Sequence, residues 1–234
     1  GALMINRFQA KEEVQELFQS ETWNGDSILE LLNRHAVTPE TFLHRLSQIL
    51  PGIFKITELH YLRFEHLVGR NEIQLTKELN MPRTLVPSGV RLKEHYCRRW
   101  LPVSLLQVLE GKRQNGDFKK ILIRAQRAKF MESGDEVLFI SIAHSLRLRT
   151  KMNRCVSLGL RVDNALKRKV KFLNDPQIPV IEVNQTCERC PLENSQCSER
   201  TVPPSVYIRE KQEELLNKRL KLLVTDYRGK NLKI

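Results

Sequence analysis

Residues 121–146 read ILIRAQRAKFMESGDEVLFISIAHSL. Ile121–Phe130 has the composition of a strand, Glu132-Ser133-Gly134-Asp135 carries the residues of a tight hairpin turn, and Val137–Leu146 reads as the returning strand. Working upstream, Leu59, Tyr61, Arg63 and Glu65 alternate with His60, Leu62, Phe64 and His66, a period of two that predicts another strand. Gly69-Arg70-Asn71 then turns the chain, and Ile73 and Leu75 begin a partner strand. A loop punctuated by Pro82, Pro87 and Gly89 leads to a predicted helix over Leu92–Leu109. Downstream, Cys155–Val162 predicts one more strand, followed by a Lys- and Arg-rich segment. Hairpin strands interleaved with helices predict an antiparallel sheet with helices on its faces, an α+β fold.

The ends of the chain are helical in pattern. Lys11–Phe18 has Val14, Leu17 and Phe18 at helical spacing. Asp26 and Ser27 can cap a second helix carrying Ile28, Leu29, Leu31 and Leu32. Thr38 can cap a third, with Pro39 in its first turn, Phe42, Leu43, Leu46 and Ile49 on one face, and Pro51-Gly52 as its stop. The last two helices, joined through HAVTPETFLHRL, have the outline of a helix-turn-helix whose reading residues would be Glu40, Thr41, His44 and Arg45. A small helical layer is the plainer reading. Ser205–Leu223 predicts a charged C-terminal helix with Leu215, Leu216, Leu220 and Leu223 on an apolar stripe, read as core packing first and as a dimer seam second.

The chain has 234 residues, of which 41% are hydrophobic and 28% charged, with ten Gly and ten Pro. These proportions exclude collagen-like, low-complexity and disordered classes. The longest apolar run, near Val137–Ala143, is far short of the ~20 residues of a membrane span. Gly1-Ala2-Leu3 ahead of Met4 reads as a cloning scar, no signal-peptide pattern follows, and the expected location is the cytoplasm, with no membrane partner.

The formal net charge is +12, and the excess is concentrated. Between Arg91 and Lys129 eleven basic residues stand against three acidic ones, and between Arg147 and Lys171 nine stand against one. The remainder of the chain is therefore net acidic. A basic middle on such a background suits a phosphate-bearing partner, either nucleic acid or a phosphorylated small molecule. A solvated basic surface is the competing reading. Arg127, Arg147, Arg149 and Lys151 are the candidate phosphate donors.

Three of the five cysteines sit in TCERCPLENSQCSERTVPP, residues 186–204. The spacing is C-x2-C-x6-C. Cys187 and Cys190, two residues apart in a tight turn, can offer both sulfurs to one metal, and Cys197 returns after a polar loop. Arg189 and Arg200 favour thiolate over thiol. An odd cysteine count in a cytoplasmic chain argues against a disulfide framework. A fourth ligand must come from a distance: Cys97 in EHYCRRW and Cys155 in NRCVSLGL are the thiol candidates, His95 and His144 the nitrogen candidates. Cys155 lies in an apolar strand and reads as a core residue, so Cys97 is preferred. Such a site could hold zinc or a cubane iron–sulfur cluster, and spacing alone does not choose. No constellation of catalytic acid, base and nucleophile is present, so an enzyme is not expected.

The order YCRRW, FISIAHSL, VSLGL and then TCERCPLENSQCSERTVPP resembles the C-terminal sensor domain of short-chain fatty acyl transcriptional regulators, bacterial XRE-type regulators that include the mycobacterial propionate and glyoxylate-pathway regulators. The likeness runs from about Leu59 to Pro204 and is strongest over Thr186–Pro204. It implies a GAF-like fold that binds coenzyme A or a short-chain acyl-CoA, carries an iron–sulfur cluster of the 4Fe-4S type, and controls operator binding by a separate helix-turn-helix domain. Cys187, Cys190 and Cys197 would be cluster ligands, with Cys97, shortly before Trp100, as the fourth. Residues 1–55 resemble the helical tail of an IrrE/ImmA-like middle region, 56–204 would be the sensor domain, and 205–234 a C-terminal helix and tail. No HExxH occurs, which removes support for proteolysis, and the chain reads as a fragment of a longer regulator. The implied partners are operator DNA through a domain outside this chain, an acyl-CoA, and a second copy in a homodimer. The alternative is a zinc-containing DNA-binding module using the helix pair 26–49.

Overall fold

The computed structural model describes residues 5–70, 72–80, 94–116, 121–146 and 151–231. Its centre is a six-stranded sheet built from β1 (Leu59–Leu67), β2 (Ile73–Asn80), β3 (Leu122–Phe130), β4 (Glu136–Ser145), β5 (Met152–Arg161) and β6 (Val180–Val183), in the order β2-β1-β5-β4-β3-β6. Every pairing is antiparallel except β3 with β6, where Arg127 stands beside Val180 and Phe130 beside Val183. The hairpin that decides the fold forms as its sequence predicts, with Gly134 at φ +73°, a backbone that glycine adopts without strain.

Helices cover both faces, so the architecture is α+β, with an N-terminal helical part and a C-terminal helix. Helices α1 (Arg7–Gln19), α2 (Gly25–Arg34) and α3 (Pro39–Phe54) pack on one face, where Phe18, Leu43 and Leu50 share a cluster with Tyr61, Leu138 and Leu158. Helix α4 (Leu101–Gln114) covers the other, where Trp100, Leu105 and Leu106 meet Phe64, Phe139 and Val183. Burial on both sides explains why β4 is apolar almost without alternation. The Lys- and Arg-rich segment forms the short α5 (Asn164–Lys169), and α6 (Ser205–Asn231) closes the chain. Among the described residues, no helix is long and apolar enough to cross a membrane.

Several predicted boundaries move. The helix expected over Leu92–Leu109 starts at Leu101 and runs to Gln114; residues 92 and 93, like the loop with Pro82, Pro87 and Gly89, lie outside the described residues. Its first turn is capped from the sheet, because the Leu101 N–H donates to Gln126 Oε1 at 2.9 Å and Gln126 Nε2 donates to the Arg99 carbonyl at 3.0 Å. Pro51 does not stop α3. It sits in the last turn, and the helix ends at Lys55 in the left-handed conformation, φ 54°. Asn24, rather than Asp26 or Ser27, caps α2.

The apolar stripe of α6 is also a correction. Leu215, Leu216, Leu220 and Leu223 are exposed and belong to neither core, because both sheet faces are already filled by α1–α4. The helix pair α2–α3 is likewise committed to the sheet. Glu40 accepts from Arg154 Nη1 at 2.8 Å and meets His144 Nε2 at 3.2 Å, the His44 ring packs edge-on against Tyr61 at 5.6 Å, and the Thr41 N–H donates to Thr38 Oγ1. Of the four expected reading residues, Glu40 and His44 are therefore held against the sheet, while Thr41 and Arg45 make only local contacts within α3 and its cap.

Candidate functional site: the cysteine segment and its cleft

Two segments about ninety residues apart are joined ahead of α4. Tyr96 and Thr186 form an isolated antiparallel bridge, the Cys97 N–H donates to the Gln185 carbonyl at 3.2 Å, and the Cys187 N–H donates to the His95 carbonyl at 2.9 Å. This places Cys97 beside the C-x2-C turn, which closes with the Cys190 N–H on the Cys187 carbonyl at 3.3 Å. The polar loop that follows contains a single 3-10 turn, Asn194–Gln196, closed by a capping box with Glu193, and it returns Cys197 to the cluster. All four thiols are buried.

The four cysteines act on one another electrostatically. Burial raises the Cys97 thiol to about 11, backbone hydrogen bonds from Asn184 and Arg99 pull against that shift, and the sulfurs of Cys187 and Cys190 add to it. Cys197 is raised by burial, then by Glu199 and Cys190. Metal ligation at such a site would require the thiols to give up their protons in favour of the cation. As a donor set, four cysteine sulfurs suit a thiophilic metal or cluster. Among the described residues, no three His, Cys, Asp or Glu side chains are drawn together tightly enough to hold a metal ion as they stand.

The other ligand candidates separate. Cys155 is fully buried in β5, and burial alone raises its thiol, with no charge from the cluster acting on it. His144 belongs to the Glu40–Arg154 group on the sheet. His95 lies beside the cluster, with Nδ1 held by Glu188 Oε1 at 2.8 Å.

Residues that the sequence reading passed over hold the segment together. Glu188, inside the C-x2-C turn, accepts from the His95 N–H with both carboxylate oxygens, at 2.9 and 3.1 Å. Its carbonyl accepts from the Val206 and Tyr207 N–H groups, both at 3.0 Å, so the start of α6 hangs from the cysteine turn. Glu94 takes Thr186 Oγ1 at 2.8 Å and Arg189 at 2.8 and 2.9 Å. Arg98 is buried next to the thiols; burial lowers its pKa, and the charges of Cys187, Glu188 and Cys97 oppose that shift. An acid between two cysteines and an arginine directly after a third were the available signals.

Arg98 also lines a cleft of about 720 Å³ between the start of α2, β3 and the start of α4, together with Arg99, Arg124, Gly25, Gln126 and Glu199. The backbone approach is close: a Cβ on Gly25 would stand 3.0 Å from the Ile123 carbonyl oxygen. Of the expected phosphate donors, Arg127 is committed elsewhere, to Glu136, to Asn174 Oδ1 at 2.8 Å and to the Leu173 carbonyl, and it does not line this cleft. Lys151 is exposed at the turn between β4 and β5, and Arg147 and Arg149 lie outside the described residues.

No protein-family model matches the chain, and no curated protein sequence does. Among solved structures, the fold is similar to that of a Mycobacterium tuberculosis transcriptional regulator, with a TM-score of 0.52 at 15% sequence identity. The likeness covers 86% of this chain and 54% of that one, so the chain spans about half the length of that regulator. At this identity the likeness is one of fold.

Proposed function

We propose that the chain is the sensing part of a bacterial transcriptional regulator and not an enzyme. In this reading Cys97, Cys187, Cys190 and Cys197 hold a 4Fe-4S cluster, with zinc as the competing occupant, and coenzyme A or a short-chain acyl-CoA takes the neighbouring cleft. Operator DNA is bound by a helix-turn-helix domain elsewhere in the full protein. The observation that supports the reading is that Cys97 and the C-x2-C turn, from two distant segments, are buried side by side next to Arg98, a buried arginine that also walls a cleft. The regulator named among similar folds supports the assignment to transcription.

The chemistry of the cleft suits the ligand class. Its volume lies in the ~300–1,000 Å³ range of small-molecule sites. Arg98, Arg99 and Arg124 supply planar donors that can pair with phosphate oxygens, and the start of α2 adds backbone N–H groups. A bound cluster would supply a thiolate-ligated centre whose presence fixes the position of the Cys187–Cys197 loop. The chain's own part is to connect that loop, through Arg98, to the cleft wall, so that ligand and cluster bias one another.

Two measurements test this. Anaerobically purified protein should be brown, with broad absorbance near ~400 nm, as thiolate-ligated iron–sulfur clusters are. A colourless protein containing stoichiometric zinc would replace the cluster by a structural site. Calorimetric titration of the metal-replete chain with coenzyme A, acetyl-CoA and propionyl-CoA should show saturable binding that weakens roughly tenfold or more in Arg124→Ala. Absence of saturable binding to all three ends the ligand assignment.

A further inference from the structure

Helix α6 is tied to the rest of the protein only near its start. The Val206 and Tyr207 N–H groups donate to the Glu188 carbonyl, both at 3.0 Å, and Glu210 meets the Arg189 guanidinium at 3.6 Å. Among the described residues, α6 makes no other hydrogen bond or ion pair outside itself and the Pro203-Pro204 step that leads into it. Val206 and Tyr207 are half-buried, and from Ile208 to Thr225 every residue is exposed. Both anchors, Glu188 and Arg189, are the two residues enclosed by Cys187 and Cys190. Each anchor is therefore the covalent neighbour of a thiol.

The enclosed pair is in turn fixed to the segment ahead of Cys97. The Glu188 carboxylate accepts from the His95 N–H at 2.9 and 3.1 Å and pairs with His95 Nδ1 at 2.8 Å. Arg189 donates to both Glu94 oxygens, at 2.8 and 2.9 Å, and so stands between Glu94 and Glu210.

The helix keeps its shape without being covered. Lys218 pairs with Glu214 at 2.7 Å and Arg209 with Glu213 at 4.0 Å, each four residues apart, and no Gly or Pro falls between Ser205 and Arg228. Such a helix can swing as a rod without melting. At the ordinary rise per residue the part beyond Tyr207 is about 36 Å long, and a tilt of ~10° at its start displaces the far end by about 6 Å.

We propose, on the reading that these cysteines hold a metal, that α6 is a lever carried by the C-x2-C turn. With both sulfurs on one metal, the backbone of Glu188 and Arg189 is fixed, and the direction of the helix with it. With the thiols free, the turn relaxes and the helix swings. The Glu188 carbonyl is the pivot, and Arg189, closed between Glu94 and Glu210, is the latch.

Nuclear magnetic resonance on the full chain tests the lever, with zinc as the loaded metal and its stoichiometry counted first by elemental analysis. In the zinc-loaded chain the Val206 and Tyr207 amides should be protected from exchange, and α6 should tumble with the sheet, with order parameters near ~0.85. Stripping the zinc with a chelator under reducing conditions should lower protection at those two amides by roughly tenfold or more. Order parameters over residues 208–225 should fall, while far-ultraviolet circular dichroism keeps its helical signal. Arg189→Ala should hold zinc as the wild type does and lose part of the same protection while loaded. Equal protection at Val206 and Tyr207 with and without zinc overturns the lever and leaves the metal site standing, and so does melting of α6 on stripping. Unchanged protection in loaded Arg189→Ala overturns the latch. A chain that holds no metal on these thiols fails the metal reading itself, and the lever falls with it.

Discussion

The sheet and the cysteine segment lie side by side and are held together by different means. In the sheet, Leu62, Phe64, Leu138, Phe139, Val156 and Leu160 are at or below 1% exposure, and the central strands β4 and β5 are buried on both faces. In residues 184–204 few side chains are apolar. Order there comes from the carboxylates of Glu188 and Glu94, a capping box at Glu193, and the Arg200 guanidinium on the Leu192 carbonyl. Apolar burial gains of order 1.5–3 kcal/mol per large side chain, whereas a net hydrogen bond gains about 1 kcal/mol. The first region is held by apolar burial, and the second by polar contacts.

Substitutions that strike the sheet should therefore cost most. Trp100 is fully buried, with ring centroids 5.4 Å from both Phe64 and Phe139, and Trp100→Ala should lower unfolding free energy by about 3–5 kcal/mol in denaturant titration. A loss below ~1 kcal/mol would show that the α4 face is not the close-packed core described. Gly159 comes next, since a Cβ there would stand 2.2 Å from His60 Nε2, whose ring packs at a tilt against Phe139 with centroids 5.2 Å apart. Gly159→Ala should cost about 1–3 kcal/mol by overpacking, and a neutral result would mean that the His60 ring moves freely.

Glu40 joins α3 to the sheet and should show a smaller, acid-dependent effect. Burial would raise its pKa, but hydrogen bonds from His144 and Arg154 outweigh that and hold the carboxyl well below its usual range. A depressed folded value stabilises the protein above the unfolded carboxylate pKa, and that contribution fades as pH falls below about 4. Glu40→Gln should cost about 1–3 kcal/mol at neutral pH, and the gap to wild type should narrow on acidification. A gap constant with pH would remove the ionised carboxylate from the account. The smallest effect on the sheet belongs to Cys190→Ser. Hydrogen exchange should show protection lost in residues 184–204 and loosened over Tyr96–Leu101, with Leu122–Phe130 and Glu136–Ser145 unchanged. Unchanged protection in 184–204 would mean that the segment organises itself without its thiols.

The same contrast explains how far the sequence could be read. The 121–146 hairpin, the first strand and the Thr38–Pro39 helix start were legible because local period and turn chemistry agree with the final packing. Strand β6 was missed: it has four residues, and its pairing with β3 is set by chain far away in sequence. The start of α4 was missed for a related reason, since its cap is a glutamine on β3. In the site, the C-x2-C-x6-C spacing marked three cysteines, but Glu188, Glu94 and Arg98 matter through a bridge that spans ninety residues. The C-terminal stripe was legible as apolar, but a helical period does not tell whether the covering surface lies in the same molecule.

The parallel strand β6 has a consequence for synthesis. Its register on β3 runs from Val180 to Val183, and the chain then passes directly into Asn184 and the Tyr96–Thr186 bridge. The thiol of Cys97 emerges early from the ribosome, but its neighbours arrive only after the sheet that positions them has been translated. Contacts of such sequence separation close late, because the loop between them must first be ordered. A nascent chain that stalls before β6 therefore holds Cys97 and Cys155 but none of the thiols of the 187–197 segment.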